Sequence, residues 1–336
     1  MPPSFLNLID MKNILLAIAA SAIFGLMPQE ASAQPNTDFR PDMTVYLYAD
    51  TDAAPKGDPV YGKVIKTMGL NMKEENGLSG DETLGAGGEL GNISDFARVD
   101  LYLPENPNGQ MIVICPGGSY SIVSSYNEGV YVAKWLDSLG IAAAVVKYRL
   151  PNGHCTVPLE DVHNVFRYCR DHAEEFGVKQ IGVMGFSAGG HLAASATTLY
   201  TDEATRPDFS ILIYPVIAMD EVPPHTDSRF NLIGKNADST LRKYYSLYTQ
   251  VTPDTPPVFL AHCTDDGAVP VINSIVFYNA LVDNHVSAEM HIYPVGNHGW
   301  GGSTSEFVEN DRIGYARSEY ETSLARWLAT QRESIK

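Results

Sequence analysis

Gly185-Phe186-Ser187-Ala188-Gly189 follows an apolar run at 180–184 and precedes a stretch that reads as a helix from about Gly190. A serine at a sharp strand-to-helix turn needs small neighbours, because the backbone there is strained and closely packed. Such a turn lifts the hydroxyl clear of a sheet and aims a helix N-terminus at developing negative charge. A serine hydroxyl is a weak nucleophile and needs a base, which in turn needs an orienting group. Of nine histidines, His298 lies in the loop Gly296-Asn297-His298-Gly299, just after the last strand-like run at 288–293. A loop at that end of a strand can carry an imidazole over the sheet to the serine. His191 sits one turn beyond Ser187 and is expected to pack beneath it, while His262 and His291 lie inside strand runs and read as core residues. His154, His163 and His172 surround an earlier helical stretch with no H-E-x-x-H spacing, so no metal site is read there. For the acid, Asp265-Asp266-Gly267 follows the run 258–263, and either carboxylate can orient His298. Pro116-Gly117-Gly118-Ser119 ends another strand-like run, and its backbone N–H groups, with that of Ala188, can hold an oxyanion. The chemistry these parts suit is acyl transfer through a covalent serine intermediate, in the chain order serine, acid, histidine.

The elements that must position them alternate. Apolar, β-branched runs at 111–115, 141–148, 180–184, 209–214, 258–263 and 288–293 suit a sheet covered on both faces. Between them, Val132, Trp135, Leu136 and Leu139 recur at helical spacing, as do Leu159, Val162, Phe166, Cys169 and Ala173, and later Tyr320, Leu324, Trp327 and Leu328. This alternation predicts an α/β fold, a doubly wound and mostly parallel sheet. Two earlier runs, 44–50 and 96–104, alternate apolar with polar residues and are expected as antiparallel edge strands. A glycine-rich stretch, 76–91, lies between them.

The chain of 336 residues carries 40 acidic and 23 basic residues, a formal net charge of −17. So negative a surface repels phosphate backbones and anionic lipid heads, which argues against nucleic-acid and membrane-surface roles. Lys12, an apolar run from Ile14 to Met27 and the ending Ala31-Ser32-Ala33 match a secretory signal peptide at 1–33, with Met11 as a candidate start. The expectation is therefore an exported, periplasmic or extracellular protein whose single domain covers 34–336, with an N-terminal extension to about 95. The four cysteines, Cys115, Cys155, Cys169 and Cys263, read as buried thiols, with a Cys155–Cys169 bridge as the alternative.

With these motifs in place, the chain resembles the α/β-hydrolase esterases, and within them the bacterial acetylesterases associated with xylan degradation. The resemblance runs from about Phe96 to the end. It rests on Cys115 to Tyr120, Glu128-Gly129, Lys147 to Leu150, Pro158 to Val162, Gly185 to His191, Asp265 to Pro270, and Tyr293-Pro294 with His298-Gly299. It implies Ser187 as nucleophile, His298 as base and Asp266, four residues before Pro270, as the acid. Gly118, Ser119 and Ala188 would be the oxyanion donors, although Pro116 stands where the usual motif has histidine. It implies no cofactor and a small-molecule or oligosaccharide ester as substrate; no separate lid domain is evident, and 225–243 is a candidate for a small cap over the sheet. Tyr120, Tyr126 and Trp300 are candidates to stack on sugar faces, and Glu128 and Arg149 are read as a structural pair. The competing readings are a prolyl-peptidase-like hydrolase, a non-catalytic carbohydrate-binding protein on the same fold, and a metal-dependent deacetylase.

Overall fold

The computed structural model describes residues 39–48, 81–94, 97–302 and 311–333, all within the unit that backbone proximity delimits as Pro35–Lys336. The expected export segment, Gly77 and Gly80 lie outside the described residues. In chain order come β1 (Met43–Tyr46), the hairpin β2 (Thr83–Leu84) and β3 (Glu89–Gly91), β4 (Arg98–Tyr102), β5 (Gln110–Cys115) and β6 (Ile122–Ser124). A single π-helical turn, Tyr126–Val130, runs into α1 (Tyr131–Ser138), followed by β7 (Ala142–Lys147), α2 (Val157–Asp171), β8 (Gln180–Phe186) and α3 (Ser187–Thr198). Then come β9 (Ser210–Ile213), α4 (Thr226–Ile233), α5 (Ser239–Tyr244), β10 (Val258–Cys263), α6 (Ile272–Asp283), β11 (Ala288–Tyr293) and α7 (Asp311–Glu333).

The main sheet has the order β1-β4-β7-β5-β8-β9-β10-β11. β1 and β4 pair antiparallel at one edge, and the strands from β7 to β11 run parallel. The apolar runs explain this. β5, β8 and β10 are buried at every position, and alternate residues enter two separate cores, one on each face. Met111, Val113, Val183 and Leu260 join Val162, Phe166 and Phe277 from α2 and α6. Ile112, Ile114, Ile211 and Phe259 join Leu136 from α1 and Tyr320, Leu324 and Trp327 from α7. A side-chain period of two sends each strand's residues to both faces, and each face is sealed by helices of period 3.6.

The glycine-rich stretch is structured where it is described. β2 and β3 form a small antiparallel sheet with β6, whose strand follows the Gly117-Gly118 loop. All four cysteines are free thiols, and Cys155 is only half-buried. Glu128 and Arg149 do not pair. Arg149, fully buried, meets Asp161 at 2.5 Å and donates to the Tyr48 hydroxyl at 2.7 Å. Asp161 sits in the helix that follows β7 and accepts the Arg149 backbone N–H as well, so it captures the guanidinium locally.

Candidate active site

β8 ends at Phe186 in extended backbone, and α3 starts at Ser187 itself. Ser187 has φ +53°, a left-handed geometry that costs a non-glycine residue strain and is held only by dense surroundings. The density is visible next door. A Cβ on Gly189 would overlap the Cys115 and Pro116 carbonyl oxygens, and one on Gly185 would overlap the Gly189 carbonyl. The helix was expected from about Gly190, and it starts three residues earlier, although glycine has low intrinsic helix propensity. Close packing against the end of β5 overrides that propensity, and the glycines form the first turn. Ser187 is 7% exposed.

The loop after β11 brings His298 over this turn. Its Nε2 lies 2.9 Å from Ser187 Oγ, and its Nδ1 lies 2.7 Å from Asp266 Oδ2. A carboxylate only accepts, so the Nδ1–H donates to Asp266, and Nε2 is left to accept the serine hydroxyl. Asp266 is buried at the end of β10. Its Oδ1 accepts the N–H groups of Ala268 (2.9 Å) and Val269 (2.8 Å). Burial pushes its carboxyl up, but the bonds from His262 and His298, the His298 charge and the Val269 N–H outweigh it and hold it well below the usual carboxylate range. Asp265 has a different task. Its Oδ1 accepts the Asn297 N–H at 2.7 Å, while Asn297 Oδ1 accepts the Gly267 N–H at 3.1 Å. The two adjacent aspartates thus clamp the histidine loop and orient its ring.

The Pro116–Ser119 loop shows which of its polar groups are spoken for. Pro116 O accepts from the Tyr148 hydroxyl (2.8 Å), Gly117 O from Ser124 N and Gly118 O from Ile122 N. Ser119 O accepts from Asn231 Nδ2 of α4 at 2.8 Å, so the segment expected as a cap leans on this loop. The Gly118 and Ser119 N–H groups find no acceptor among the described residues. Ala188 lies in the first turn of α3, where backbone N–H groups have no intrahelical acceptor. A Cβ on Gly117 would come within 2.9 Å of Ser187 Cβ, so only glycine lets this loop sit against the serine. Open donors beside a hydrogen-bonded hydroxyl, at a helix N-terminus, can stabilise a tetrahedral oxyanion.

The stacking candidates need correction. Trp300 is 0% exposed, wedged between Tyr214 and Tyr320 with ring centroids 4.7 and 5.1 Å away. Tyr120 is 1% exposed, and its hydroxyl meets His191 Nδ1 at 3.0 Å. Neither ring can face a sugar. Tyr126 is half-buried and lines a pocket of about 340 Å³ with Phe39, Tyr46, Arg98 and Lys147, whose lining includes none of Ser187, Asp266 and His298. His191 is held on its other side by the Tyr245 carbonyl (2.8 Å), and burial pushes its pKa down to about 4. His291 is not a core residue: it is half-buried and pairs with Glu289 at 2.7 Å.

Two contributors were missed. His262, fully buried on β10, reaches Asp266 Oδ2 at 3.2 Å and Ser274 Oγ at 2.8 Å. Its spacing of four from Asp266 was the available signal. Glu128 accepts the Gly117 N–H at 2.7 Å and the Tyr214 hydroxyl at 2.9 Å; nothing in its local sequence announces either.

Residues 99–281 match the BD-FAE family, a span that includes Ser187 and Asp266 and stops short of His298. The chain is 43% identical over 221 residues to an acetylxylan esterase of Xylanibacter ruminicola, covering 63% of this chain and 46% of that protein. It is 32% identical over 295 residues to endo-1,4-beta-xylanase B of Butyrivibrio fibrisolvens, covering 83% and 44%. The chain therefore spans less than half the length of these curated relatives. Among solved structures, it resembles an acetyl ester-xyloside bifunctional hydrolase from Caldicellulosiruptor lactoaceticus at TM-score 0.59 and 34% identity, covering 68% of this chain and 88% of that one. A sugar hydrolase from Lactococcus lactis matches at TM-score 0.64 and 27% identity, over 76% and 100%.

Proposed function

The chain belongs to the BD-FAE family, and from that premise we propose that it is a serine carboxylesterase removing short acyl groups, acetyl above all, from carbohydrate. The observation that carries the esterase reading is the continuous bond series Ser187–His298–Asp266, at 2.9 and 2.7 Å, beside the open N–H groups of Gly118 and Ser119. His298 Nε2 takes the Ser187 proton as Oγ attacks the ester carbonyl. The Gly118, Ser119 and Ala188 N–H groups hold the oxyanion, and His298 returns the proton to the departing sugar oxygen. Water, activated by the same nitrogen, then releases the acid from the acyl-enzyme. Asp266 keeps the proton on Nδ1 and offsets the imidazolium charge. The carbohydrate and the acetyl group are supported by the acetylxylan esterase and acetyl ester-xyloside hydrolase relatives. Residues 1–33 support export, with Gln34 as the mature N-terminus, which N-terminal sequencing of secreted protein would check.

Acetate release from acetylated xylan, acetylated pectin and simple sugar acetates, run alongside p-nitrophenyl acetate and a peptide amide, tests the reading. Wild type should release acetate from at least one carbohydrate, with chelator making no difference, and Ser187→Ala should not. Dominant amide cleavage would replace the esterase with a peptidase, and a protein inert toward every ester would leave only binding.

A further inference from the structure

Glu128 lies in the π-helical turn Tyr126–Val130, a conformation that is rare and concentrates at functional sites. Its carboxylate is buried and makes no ion pair with Lys or Arg among the described residues. Both oxygens are nevertheless engaged. One accepts the Gly117 N–H at 2.7 Å; the other accepts the Tyr214 hydroxyl at 2.9 Å. The Tyr214 hydroxyl oxygen in turn accepts the Gly301 N–H at 2.8 Å, three residues beyond His298. Next to Glu128, Asn127 Nδ2 donates to Gly299 O at 3.0 Å, and Asn127 O accepts the Gly302 N–H at 2.9 Å. One turn of chain therefore grips the loop that supplies the oxyanion donors and the loop that supplies the base.

The division of labour among the three successive N–H groups of the glycine loop gives this grip its meaning. The Gly117 N–H is tied back to Glu128, whereas those of Gly118 and Ser119 are left without acceptors among the described residues. Ser119 and Tyr120 hold φ of +57° and +58°, a strained pair that relaxes unless its surroundings fix it. A Cβ on Gly117 would lie 2.7 Å from Glu128 Oε2 and 2.9 Å from Ser187 Cβ, and one on Gly301 would lie 3.0 Å from Glu128 Cγ. The carboxylate is thus packed against both loops. The Tyr214 ring also sits 4.6 Å from the His298 ring. A buried carboxylate pays a desolvation cost that two neutral donors only partly offset, so its presence calls for a role that an apolar side chain could not fill.

We propose that Glu128 is a positioning residue for the ester-cleavage reaction: through the Gly117 N–H and the Tyr214 hydroxyl it holds the oxyanion donors in register with His298. The inference rests on the serine-esterase reading and deepens it. Donors fixed before reaction stabilise the tetrahedral state more than the bound ester, so the loss of Glu128 should fall on kcat rather than KM.

The test compares wild type with Glu128→Gln, Tyr214→Phe and Glu128→Ala on p-nitrophenyl acetate. Rates are counted per serine that a fluorophosphonate labels to completion, with melting followed by circular dichroism and affinity measured for a boronic acid that forms a tetrahedral serine adduct. Glu128→Gln keeps an acceptor for Gly117 and should lose about tenfold in kcat per labelled serine, with KM nearly unchanged and boronate affinity down by a similar factor. Glu128→Ala should lose about 100-fold, and Tyr214→Phe, which spares the Gly117 bond but removes the hydroxyl contacts to Glu128 and Gly301, should lose less than Glu128→Ala. A paired fall in kcat per labelled serine and in boronate affinity, at unchanged KM, is what a purely structural role would not produce. If Glu128→Ala does not fold, the other two variants decide. A kcat per labelled serine equal to wild type in Glu128→Gln, or a loss carried wholly by KM or by the labelled fraction, overturns the proposal. A wild type that neither cleaves esters nor takes the label overturns the hydrolase reading itself, and this inference with it.

Discussion

Asp265 and Asp266 are chemically identical neighbours with different work. Asp266 orients the imidazole, whereas Asp265 accepts one backbone N–H of the loop that carries it. Asp266→Asn keeps the shape but cannot hold the Nδ1 proton, so kcat for p-nitrophenyl acetate should fall by about 10³–10⁴-fold. Asp265→Ala exposes an N–H that water can satisfy and should cost about tenfold or less. Steady-state kinetics on both variants checks the assignment, and comparable losses would show that the tandem pair shares the role. The depressed carboxyl of Asp266 also carries a stability signature. A folded pKa below the unfolded value of about 3.9 contributes stability that is complete above that value and drains as pH falls through it toward the folded pKa. The stability gap between wild type and Asp266→Asn in urea should therefore narrow from about pH 6 to about pH 3. A gap that widens on acidification contradicts the assigned bonds.

At the scale of elements, the site depends on how tightly α3 meets the ends of β5 and β8. Gly189→Ala forces a methyl into the Cys115 and Pro116 carbonyls and should cost about 3 kcal/mol or more of unfolding free energy. Gly267→Ala meets nothing nearer than the Asn297 amide oxygen at 3.7 Å and should stay within about 0.5 kcal/mol of wild type. Urea titration of the pair isolates the crossing from a general intolerance of glycine replacement. The same crossing shows what can be read locally. β10 begins and ends where its apolar run does, because a strand buried by its neighbours announces itself in composition; β11 keeps the expected bounds as well, although as the edge strand it is mostly half-exposed. The start of α3 was not legible: Gly189 and Gly190 argue against a helix unless the opposing carbonyls are known. Nor was the fate of Trp300, which was set by Tyr320, a partner brought close only by folding.

Across the whole molecule, the parallel sheet with helices on both faces and an antiparallel edge was legible from alternation alone. The gathering of a serine, an acid and a histidine at the ends of β8, β10 and β11 was read instead from their motifs, with Asp265 and Asp266 left open until the resemblance favoured Asp266. What sequence could not supply was the wiring behind them, because a buried glutamate bridging two loops has no periodicity. The net charge of −17 gives a prediction at this scale. A polyanionic substrate is repelled at low salt, while a neutral one is indifferent. Raising sodium chloride from about 10 to about 150 mM shortens the Debye length from about 30 to about 8 Å. Over that range kcat/KM on acetylated pectin freed of its methyl esters should rise several-fold, with acetylated neutral xylo-oligosaccharides changing little. Equal salt responses on both substrates would mean the surface field does not reach the site.

In the proposed reaction Ser187, activated by His298, forms the covalent bond through which the ester is cleaved. Peptide mapping after fluorophosphonate treatment, paired with p-nitrophenyl acetate rates, addresses it most directly. The adduct should sit on the peptide containing Ser187 in wild type, be absent from Ser187→Ala and form far more slowly in His298→Ala, with ester cleavage lost in step. Ester cleavage that survives Ser187→Ala, or an adduct on a different residue, would contradict the account.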